Sequence, residues 1–439
     1  QSAGCRVRLR EEVLSLKERV QVLERVITDQ RQTSDLSLEI EKLLSIYYLS
    51  TQEKSAARHT STHTHFDDFL DEIIHHAISS NSSDIHIEIY EEKARVRYRI
   101  DGMLVERYHI SNEDYPVIVN KIKVRSNLDI AEKRLPQDGR INYNKHDLAV
   151  DIRVSILPTF YGEKAVLRLL RTDNLTYDLN SLGMEPSEKE KYLNAIYKPN
   201  GIVLISGPTG SGKTTTLYAS LTLLNNKTKN ILTIENPIEY TIAGINQVQI
   251  NEDIGLSFAS ALRSFLRQDP DIIMIGEIRD RETAEMAIRA SLTGHLVLST
   301  IHTNSAVGTI SRLQDMGIPS FLLAETLNIS IAQRLIRKLC PKCKQKELFT
   351  DELKEKYKFD VKATSAHYKP VGCNNCLHTG YKGRIAIYDM IANDSKLQSF
   401  IKSGAGEGEF EVNGLKKRAI ELFENGVTSL EEVIPYLLQ

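Results

Sequence analysis

The sequence predicts an α/β fold whose core is a mainly parallel β-sheet covered by helices on both faces. Four short apolar runs, at residues 202–206, 231–234, 272–275 and 296–300, are separated by helical patterns. Alternation of this kind is typical of parallel sheets with crossover helices. The first run leads directly into a glycine-rich loop, and two others end in a glutamate. Because ligands bind at the carboxyl ends of strands in such sheets, we expect the functional site at that edge.

Residues 207–214 match the pattern G-x-x-x-x-G-K-[ST] of loops that bind nucleoside triphosphates. The glycines let the backbone N–H groups converge on phosphate oxygens without interference from a Cβ atom. Lys213 would place positive charge on the terminal phosphates, and the Thr214 hydroxyl would bind Mg²⁺. The helical pattern that follows would direct its positive N-terminal end toward the anion; the alternative is a chance glycine-rich turn. The predicted nucleotide-binding residues are Gly207, Pro208, Thr209, Gly210, Ser211, Gly212, Lys213, Thr214 and Thr215.

Two glutamates, Glu235 and Glu277, follow the second and third apolar runs. Both are expected to face the phosphates, one holding Mg²⁺ through water and the other orienting the attacking water. Gly276 stands where phosphate-loop proteins usually have a magnesium-binding aspartate, so Glu277, together with Thr214, is the predicted magnesium residue. For an acid in this position the alternative role is a helix N-cap or a salt bridge.

Two histidines flank the fourth run, and His295 or His302 would sense the γ-phosphate by a hydrogen bond if it lay beside the nucleotide. A lone histidine is otherwise a satisfied structural residue. Beyond this run, the residues from Gln333 to Ile336 are expected to lie in a helix.

The segment before the core predicts an α+β domain over residues 66–172. A one-sided apolar helical stripe occupies residues 66–78, two alternating patterns predict strands within 85–100, and Asp101-Gly102 predicts a tight hairpin. A helix near 115–130 and a strand pair around 139–157 complete the domain. Its arginines Arg140 and Arg153, with Arg134 behind them, are candidates to neutralise charge at the γ-phosphate; the alternative is that they cover a solvated face. An arginine in the first role is worth ~10³ to 10⁵ in rate.

Four of the five cysteines form two Cys-x-x-Cys pairs, Cys340 with Cys343 and Cys373 with Cys376. This spacing, with helical residues expected between the pairs, predicts a closed, structural zinc site of four thiolates within a module at 339–385. Free or redox-active thiols are the alternative, and His367 or His378 is a minor candidate for a substitute ligand. A small helical end-piece is predicted over 386–439.

At the N-terminus, apolar residues step by four and three from Leu9 to Ile27. This heptad spacing predicts a short coiled coil within residues 1–45, with a single packed helix as the alternative. Residues 46–65 are polar and predict a linker. Its three histidines, at 59, 63 and 65, are more compatible with a solvated linker than with a metal site, because nothing nearby fixes their geometry.

The composition excludes some functional classes. The 439 residues carry a net charge of −2, which gives no overall attraction to nucleic acid or anionic lipid. No apolar stretch approaches the roughly 20 residues that span a bilayer, and no secretory signal is visible. Any membrane association is therefore expected to go through partners. Since the first residue is Gln1 rather than Met, a processed or truncated product is expected.

Over residues 66–439 the order of motifs resembles one family, the type II/type IV secretion and pilus-assembly traffic ATPases. The phosphate loop reads Gly-Pro-Thr-Gly-Ser-Gly-Lys-Thr-Thr-Thr at 207–216, and Thr-Ile-Glu-Asn-Pro-Ile-Glu-Tyr at 233–240 matches the family's aspartate box. Residues 262–279 match its Walker B segment, and residues 293–304, Thr-Gly-His-Leu-Val-Leu-Ser-Thr-Ile-His-Thr-Asn, match its histidine box.

The resemblance implies a homo-hexameric ring that binds ATP between a PAS-like N-terminal domain and a RecA-like domain at 184–338, with a hinge at 173–183. It also implies that Arg140 and Arg153 reach the nucleotide and that Glu235 and Glu277 serve catalysis and magnesium. The four cysteines favour the assembly and secretion branch over the pilus-retraction branch. The implied partners are an inner-membrane platform protein and a cytoplasmic docking protein. The implied location is cytoplasmic and peripheral at the inner membrane.

Two features depart from the family pattern. Asn236 stands where the aspartate box usually has Asp, and the heptad stretch occupies the place of the family's usual docking domain. The expected function is an ATP hydrolase that drives pilin or pseudopilin assembly or protein export. The alternatives are a RecA-like nucleic-acid translocase, which the absence of a basic stripe with interleaved aromatic residues disfavours, and a scaffold that binds nucleotide without hydrolysing it.

Overall fold

A computed structural model describes residues 64–145, 148–171, 178–348, 366–403 and 414–437. The chain divides into two compact units, residues 1–68 and 69–439, and the fold below concerns the second. The predicted coiled coil, and the predicted linker except for its last two residues, lie outside the described residues.

The second unit begins with an antiparallel sheet of six strands in the order β3-β2-β1-β6-β5-β4. Two helices, α1 and α2, are tied to it by buried tyrosines: the Tyr98 hydroxyl donates to the Ile73 carbonyl at 2.6 Å, and Tyr115 donates to Ile87 at 2.9 Å. The elements are α1 (Thr64–Ser79), β1 (Ser82–Ile89), β2 (Ala94–Ile100), β3 (Met103–Ile110), α2 (Tyr115–Arg125), β4 (Gln137–Lys145), β5 (Leu148–Thr159) and β6 (Gly162–Arg171).

The expected hairpin is present. Asp101 and Gly102 alone connect β2 to β3, and both have positive φ, 48° and 87°, as a two-residue turn between twisted strands requires. In β2 the apolar side chains are buried and the alternating arginines are half-buried. The expected helix near 115–130 ends earlier, at Arg125.

The core is a seven-stranded sheet in the order β15-β12-β7-β11-β10-β8-β9, in which only β15 runs antiparallel to its neighbour. The four apolar runs form β7, β8, β10 and β11, and every residue in these strands is buried. Helices cover both faces, as predicted. The strands are β7 (Gly201–Ser206), β8 (Ile231–Glu235), β9 (Asn246–Gln249), β10 (Ile272–Ile275), β11 (Leu296–Ile301), β12 (Leu327–Leu339) and β15 (Tyr381–Ala392).

Successive side chains of β7 pack on opposite faces. Val203 and Ile205 join one core with helices α3 and α4, whereas Ile202 and Leu204 join another with helices α5 to α8. The phosphate-loop strand is therefore anchored from both sides. The helices are α3 (Pro186–Ile196), α4 (Lys213–Leu224), α5 (Phe258–Phe265), α6 (Arg281–Leu292), α7 (Ala306–Asp315) and α8 (Ser320–Thr326).

The expected helix at Gln333–Ile336 is wrong. These residues lie in β12, a strand of 13 residues that pairs in parallel with β7 and antiparallel with β15. Hydrogen-bonding partners on both edges, together with β-branched side chains in the strand, override the local pattern. The predicted module boundary at 385/386 falls inside β15.

The C-terminal part packs against the β12–β15 edge through a small apolar cluster that includes Ile336, Ile387 and Phe423. The remaining elements are β13 (Gln345–Leu348), β14 (Ala366–Lys369), α9 (Ser395–Ser403), α10 (Gly414–Glu424) and α11 (Leu430–Leu437). Short 3-10 turns occur at Leu179–Leu182, Glu252–Ile254 and Asn374–Cys376. Residues 349–365, where helix was expected, lie outside the described residues. Among the helices that are described, none has the length and apolar character that crossing a bilayer would require.

Candidate nucleotide site

The phosphate loop lies at the carboxyl edge of the core sheet, between the end of β7 and the start of α4. Its backbone is packed so closely that side chains are excluded at two glycines. A Cβ atom on Gly207 would lie 2.5 Å from the Gln333 carbonyl oxygen, and one on Gly212 would lie 2.9 Å from the Gln333 amide nitrogen. Both glycines have positive φ, 149° and 86°. The loop is therefore a preformed cradle, open where Pro208, Thr209 and Gly210 are exposed.

Lys213 is the first residue of α4 and is buried. Its Nζ donates to the carbonyl oxygens of Gly207, at 2.7 Å, and Pro208, at 3.0 Å. Burial lowers the pKa of Lys213; the charge of Glu277 opposes this shift and the charge of Arg334 adds to it. Thr214 and Thr215 are exposed at the N-terminal end of the helix, where hydroxyl groups are available to a bound metal–nucleotide complex.

Glu277, after β10, lies in the same region as Lys213. One carboxylate oxygen is 2.6 Å from Nη2 of Arg279, and the other is 3.3 Å from Nε2 of His302. The side chain is only 12% exposed. A carboxylate held at this strand end beside a lysine and a histidine is suited to binding hydrated Mg²⁺ or to orienting a water molecule.

Glu235, the last residue of β8, is buried and already has three hydrogen-bond donors. They are the hydroxyl of Thr233 at 2.6 Å, the amide of Gln247 at 3.1 Å and the hydroxyl of Tyr218. Burial, followed by the negative charge of Glu235, raises the pKa of Tyr218, so the phenol stays protonated and donates. The carboxylate of Glu235 is thus held in place at the end of β8, and the next residue, Asn236, is exposed.

The two candidate histidines lie at opposite ends of β11. Leu296 pairs with Gly201, the first residue of β7, whereas Ile301 pairs with Ser206, the last. His302 is therefore at the phosphate-loop edge and His295 is at the other edge, roughly 20 Å away at ~3.3 Å per strand residue. The Nδ1 atom of His295 lies 2.9 Å from the Ala290 carbonyl oxygen. The structure brings His302 to the site and leaves His295 in a structural position.

The candidate arginines belong to the antiparallel sheet. Arg140 and Arg153 are directly paired across β4 and β5 and line a cavity of about 490 Å³. Arg153 reaches the core, because its Nη2 donates to the Ile238 carbonyl at 2.8 Å. Arg140 is exposed, and its side chain has no hydrogen bond or ion pair with any residue that the structure describes. Arg134 pairs instead with its neighbour Glu132.

Three residues beside the phosphate loop or in the arginine-lined cavity were not predicted from the sequence. Gln333 is buried beneath the phosphate loop, where its amide donates to the Ser211 carbonyl at 2.9 Å and accepts from the Thr216 hydroxyl at 2.9 Å. Its neighbour Arg334 also lies against the loop. Arg168, on β6, lines the same cavity as Arg140. Recognising β12 as the strand beside β7 would have pointed to the first two.

The four cysteines come together. The ligand atoms all lie within 4.8 Å of one another, with sulfur–sulfur distances of 3.7 Å for Cys343–Cys376 and 3.9 Å for Cys340–Cys373. A tetrahedral site with Zn–S bonds of about 2.3 Å requires sulfurs about 3.8 Å apart. Backbone N–H groups of Gly372 and Gly380 donate to the sulfurs of Cys343 and Cys376, which stabilises thiolates. The donor set therefore fits zinc.

The two candidate substitute ligands have other partners. Nε2 of His367 lies 3.3 Å from Glu347, and Nε2 of His378 lies 2.9 Å from the side-chain oxygen of Asn374. Within the described ranges, the group suited to a metal ion consists of the four cysteines.

Comparisons with known proteins agree with this geometry. Residues 60–436 match the family of type II/IV secretion system proteins. The putative type II secretion system protein E of Escherichia coli (strain K12) is 47% identical over 371 residues, which cover 83% of this chain and 75% of that protein. The type IV pilus assembly ATPase PilB of Myxococcus xanthus (strain DK1622) is 48% identical over 373 residues, which cover 82% of this chain and 66% of that protein.

Among solved structures, the pilus retraction motor PilT with bound ADP is similar, with a TM-score of 0.56 and 26% identity, covering 83% of this chain and 96% of that one. The expected resemblance is thereby confirmed over most of the length. With a phosphate loop, acidic strand ends and the ordered motifs in place, the chain belongs to the type II/IV secretion system protein family.

Proposed function

We propose that this chain is an ATP hydrolase that powers pilin or pseudopilin assembly, or protein export, at an inner-membrane machine. One observation carries the proposal: the phosphate loop, Lys213, Glu277 and His302 meet at one edge of the core sheet. The names of the relatives, a type II secretion protein E and a pilus assembly ATPase, support the same activity.

Different residues of the chain have different roles in binding and hydrolysing the nucleotide. The loop N–H groups and the start of α4 bind the phosphates, and Lys213 exchanges its contacts with the Gly207 and Pro208 carbonyls for phosphate oxygens. Thr214, and Glu277 through water, would hold Mg²⁺, which would supply positive charge to the phosphates. His302 keeps the Glu277 carboxylate in place. Glu235, held by three donors, positions the segment that follows β8 and is the second candidate for orienting water.

The arginines of the antiparallel sheet complete the site in this proposal. Arg153 already contacts the segment after Glu235, and Arg140 is exposed in the cavity beside it. ATP binding would draw this PAS-like domain and the RecA-like core together about a hinge at 173–183, of which residues 173–177 lie outside the described part. Repeated in a homo-hexamer, this closure would turn the inner-membrane platform protein, with a cytoplasmic docking protein holding the ring at the membrane. The ATPase itself would be cytoplasmic and peripheral.

The decisive experiment measures steady-state ATP turnover of the full chain, its Lys213→Ala variant and Lys198→Ala, which removes an exposed lysine outside the site. We expect Lys213→Ala to lower turnover by about 100- to 1,000-fold, because it removes a positive charge directed at the transferring phosphate. The Lys198→Ala variant should turn over ATP at the wild-type rate. Turnover near wild type in Lys213→Ala would refute the site. Nucleotide binding without turnover by wild type would instead favour a scaffold, and stimulation by single-stranded DNA a translocase.

A further inference from the structure

Arg334 occupies a position beside the phosphate loop that the motif does not account for. β12 runs parallel to β7 with Ala332 opposite Ser206, so the next two residues of β12 emerge next to the start of the loop. A Cβ atom on Gly207 would lie 3.2 Å from Nη1 of Arg334. The guanidinium group is thus in van der Waals range of the cradle in the same chain.

This guanidinium has hydrogen bonds but no counter-charge. Nη2 donates to the Asn304 carbonyl at 2.7 Å, and Nη1 donates to the Gln333 carbonyl at 3.0 Å. Both acceptors are neutral, and three of the five N–H donors of an arginine remain. No carboxylate of the described residues lies within ion-pair distance of Arg334.

Arg337, three residues further along the same strand, shows the contrast. Its Nη2 and Nε atoms both donate to Oε1 of Glu432, at 2.6 and 3.0 Å, and its guanidinium lies 4.0 Å from the centre of the Tyr381 ring. Both arginines are partly buried, yet only Arg337 is neutralised. A partly buried cation without a counter-charge is costly, so the sheet tolerates Arg334 for a reason other than stability.

A second cation and a vacant hydroxyl adjoin it. In the described part of the chain, the Nζ atom of Lys213 has only loop carbonyls at hydrogen-bond distance, and burial lowers the pKa of both Lys213 and Arg334. The hydroxyl of Ser211 is buried in the loop and has no hydrogen-bond partner among the residues that the structure describes. A buried and a partly buried cation beside a loop with an unpaired hydroxyl are the arrangement of an anion site.

We propose that Arg334 is a phosphate-binding residue that contacts the nucleotide held by the phosphate loop of its own subunit. The proposal deepens the function above and rests on it for the identity of the ligand. Its contact with Asn304, two residues beyond His302, gives the bound phosphates a direct connection to the histidine-box segment.

The test measures dissociation constants by calorimetry for a non-hydrolysable ATP analogue and for inorganic tripolyphosphate alone, using the full chain. The variants are Arg334→Ala, Arg334→Gln, Arg334→Lys and the control Lys338→Ala, which removes an exposed cation from the same strand. We expect Arg334→Ala and Arg334→Gln to weaken both ligands by about 10- to 100-fold, the size of a lost charge-assisted hydrogen bond. Arg334→Lys should retain part of the affinity, and Lys338→Ala all of it.

Other outcomes overturn the proposal. Loss of affinity for the ATP analogue with unchanged tripolyphosphate binding would place Arg334 at the base or ribose. Unchanged affinities with a lower melting temperature in Arg334→Ala would make it a link between β12 and Asn304 only. Neither ligand needs to be hydrolysed for its dissociation constant to be measured. If the wild-type chain failed to turn over ATP, the proposed function would be refuted, but the effect of Arg334 on phosphate binding could still be measured.

Discussion

The antiparallel sheet and the core sheet treat buried charge in opposite ways. In the domain of the antiparallel sheet, Glu88 is buried on β1 and pairs with Arg97 at 2.7 Å and Lys164 at 2.9 Å; Asp71, on α1, pairs with Arg125 and Lys145, each at 2.5 Å. These two carboxylates are thus neutralised by cations of their own domain.

The carboxyl edge of the core sheet differs from this. Four of its strands, β7, β8, β10 and β11, are buried throughout, and at their carboxyl edge Lys213 and Arg334 have no carboxylate of the described residues in direct contact. Glu88 and Asp71 are thus balanced by neighbouring cations, whereas Lys213 and Arg334 are not balanced in this way and mark the edge at which we propose that phosphate binds.

The largest effect is expected for two arginines of the antiparallel sheet. A loss of ATP turnover on their removal would show that this sheet also has a role in the chemistry. We expect Arg140→Ala and Arg153→Ala each to lower the rate of ATP turnover by ~10³-fold, because each would remove a positive charge from the transferring phosphate. Steady-state turnover is the measurement, and Arg107→Ala, an exposed arginine on β3, is the matched control. Turnover close to wild type in both variants would restrict the antiparallel sheet to a structural role.

The second prediction concerns the cysteine cluster. Removing zinc with a chelator should lower the melting temperature by several degrees, because four thiolates without a cation repel one another and the site's binding energy is folding energy. The cluster is coupled to the C-terminal helices through the Lys344 ammonium, which donates to the Gly426 carbonyl at 2.7 Å. Metal analysis should find one zinc per chain, and nucleotide affinity should be retained. A melt unaffected by the chelator would contradict the structural zinc site.

The smallest effect is expected on the free energy of unfolding, when the ion pairs of Glu88 in the antiparallel sheet are removed. Glu88→Gln should destabilise the chain by about 2–3 kcal/mol, because it leaves Arg97 and Lys164 without their shared carboxylate. The figure is below that for fully buried pairs because these partners are 22% and 32% exposed. Urea unfolding is the measurement, with the exposed Glu113→Gln as control.

The same residue predicts a pH dependence. Burial raises the pKa of Glu88, but the hydrogen bonds and charges of Arg97 and Lys164 outweigh it and lower the value from 4.5 to about 2. The folded state therefore binds this proton less readily than the unfolded state, so the stabilisation is complete above about pH 4.5 and is lost as the pH falls toward 2. Glu88→Gln should flatten this part of the stability curve. An equally steep acid limb in the variant would show that other groups cause it.

Much of the core was predictable because its signals are local. The loop at 207–214 specifies its own backbone by its glycines, and four buried strands are continuous apolar runs that stand out in any α/β sequence. The Cys-x-x-Cys spacing likewise brought its ligands within reach of one another, as expected.

Other features needed the fold. Residues 333–336 suggested a helix, and only pairing with β7 and β15 makes them a strand, which is why Gln333 and Arg334 were missed. His295 and His302 belong to the same motif, yet the length of β11 separates them across the sheet. Their spacing in sequence carries no information about which edge each occupies.

The sequence alone determined the family, the phosphate-binding loop and the four-cysteine cluster, because each depends on residue types at short, fixed spacings. The tertiary structure decided which side chains meet across the sheet edge: Gln333 beneath the loop, Arg334 beside it, His302 on Glu277 and Arg153 on the Ile238 carbonyl. Those contacts join residues 25 to 127 positions apart, and strand order and register, which no local pattern encodes, bring them together.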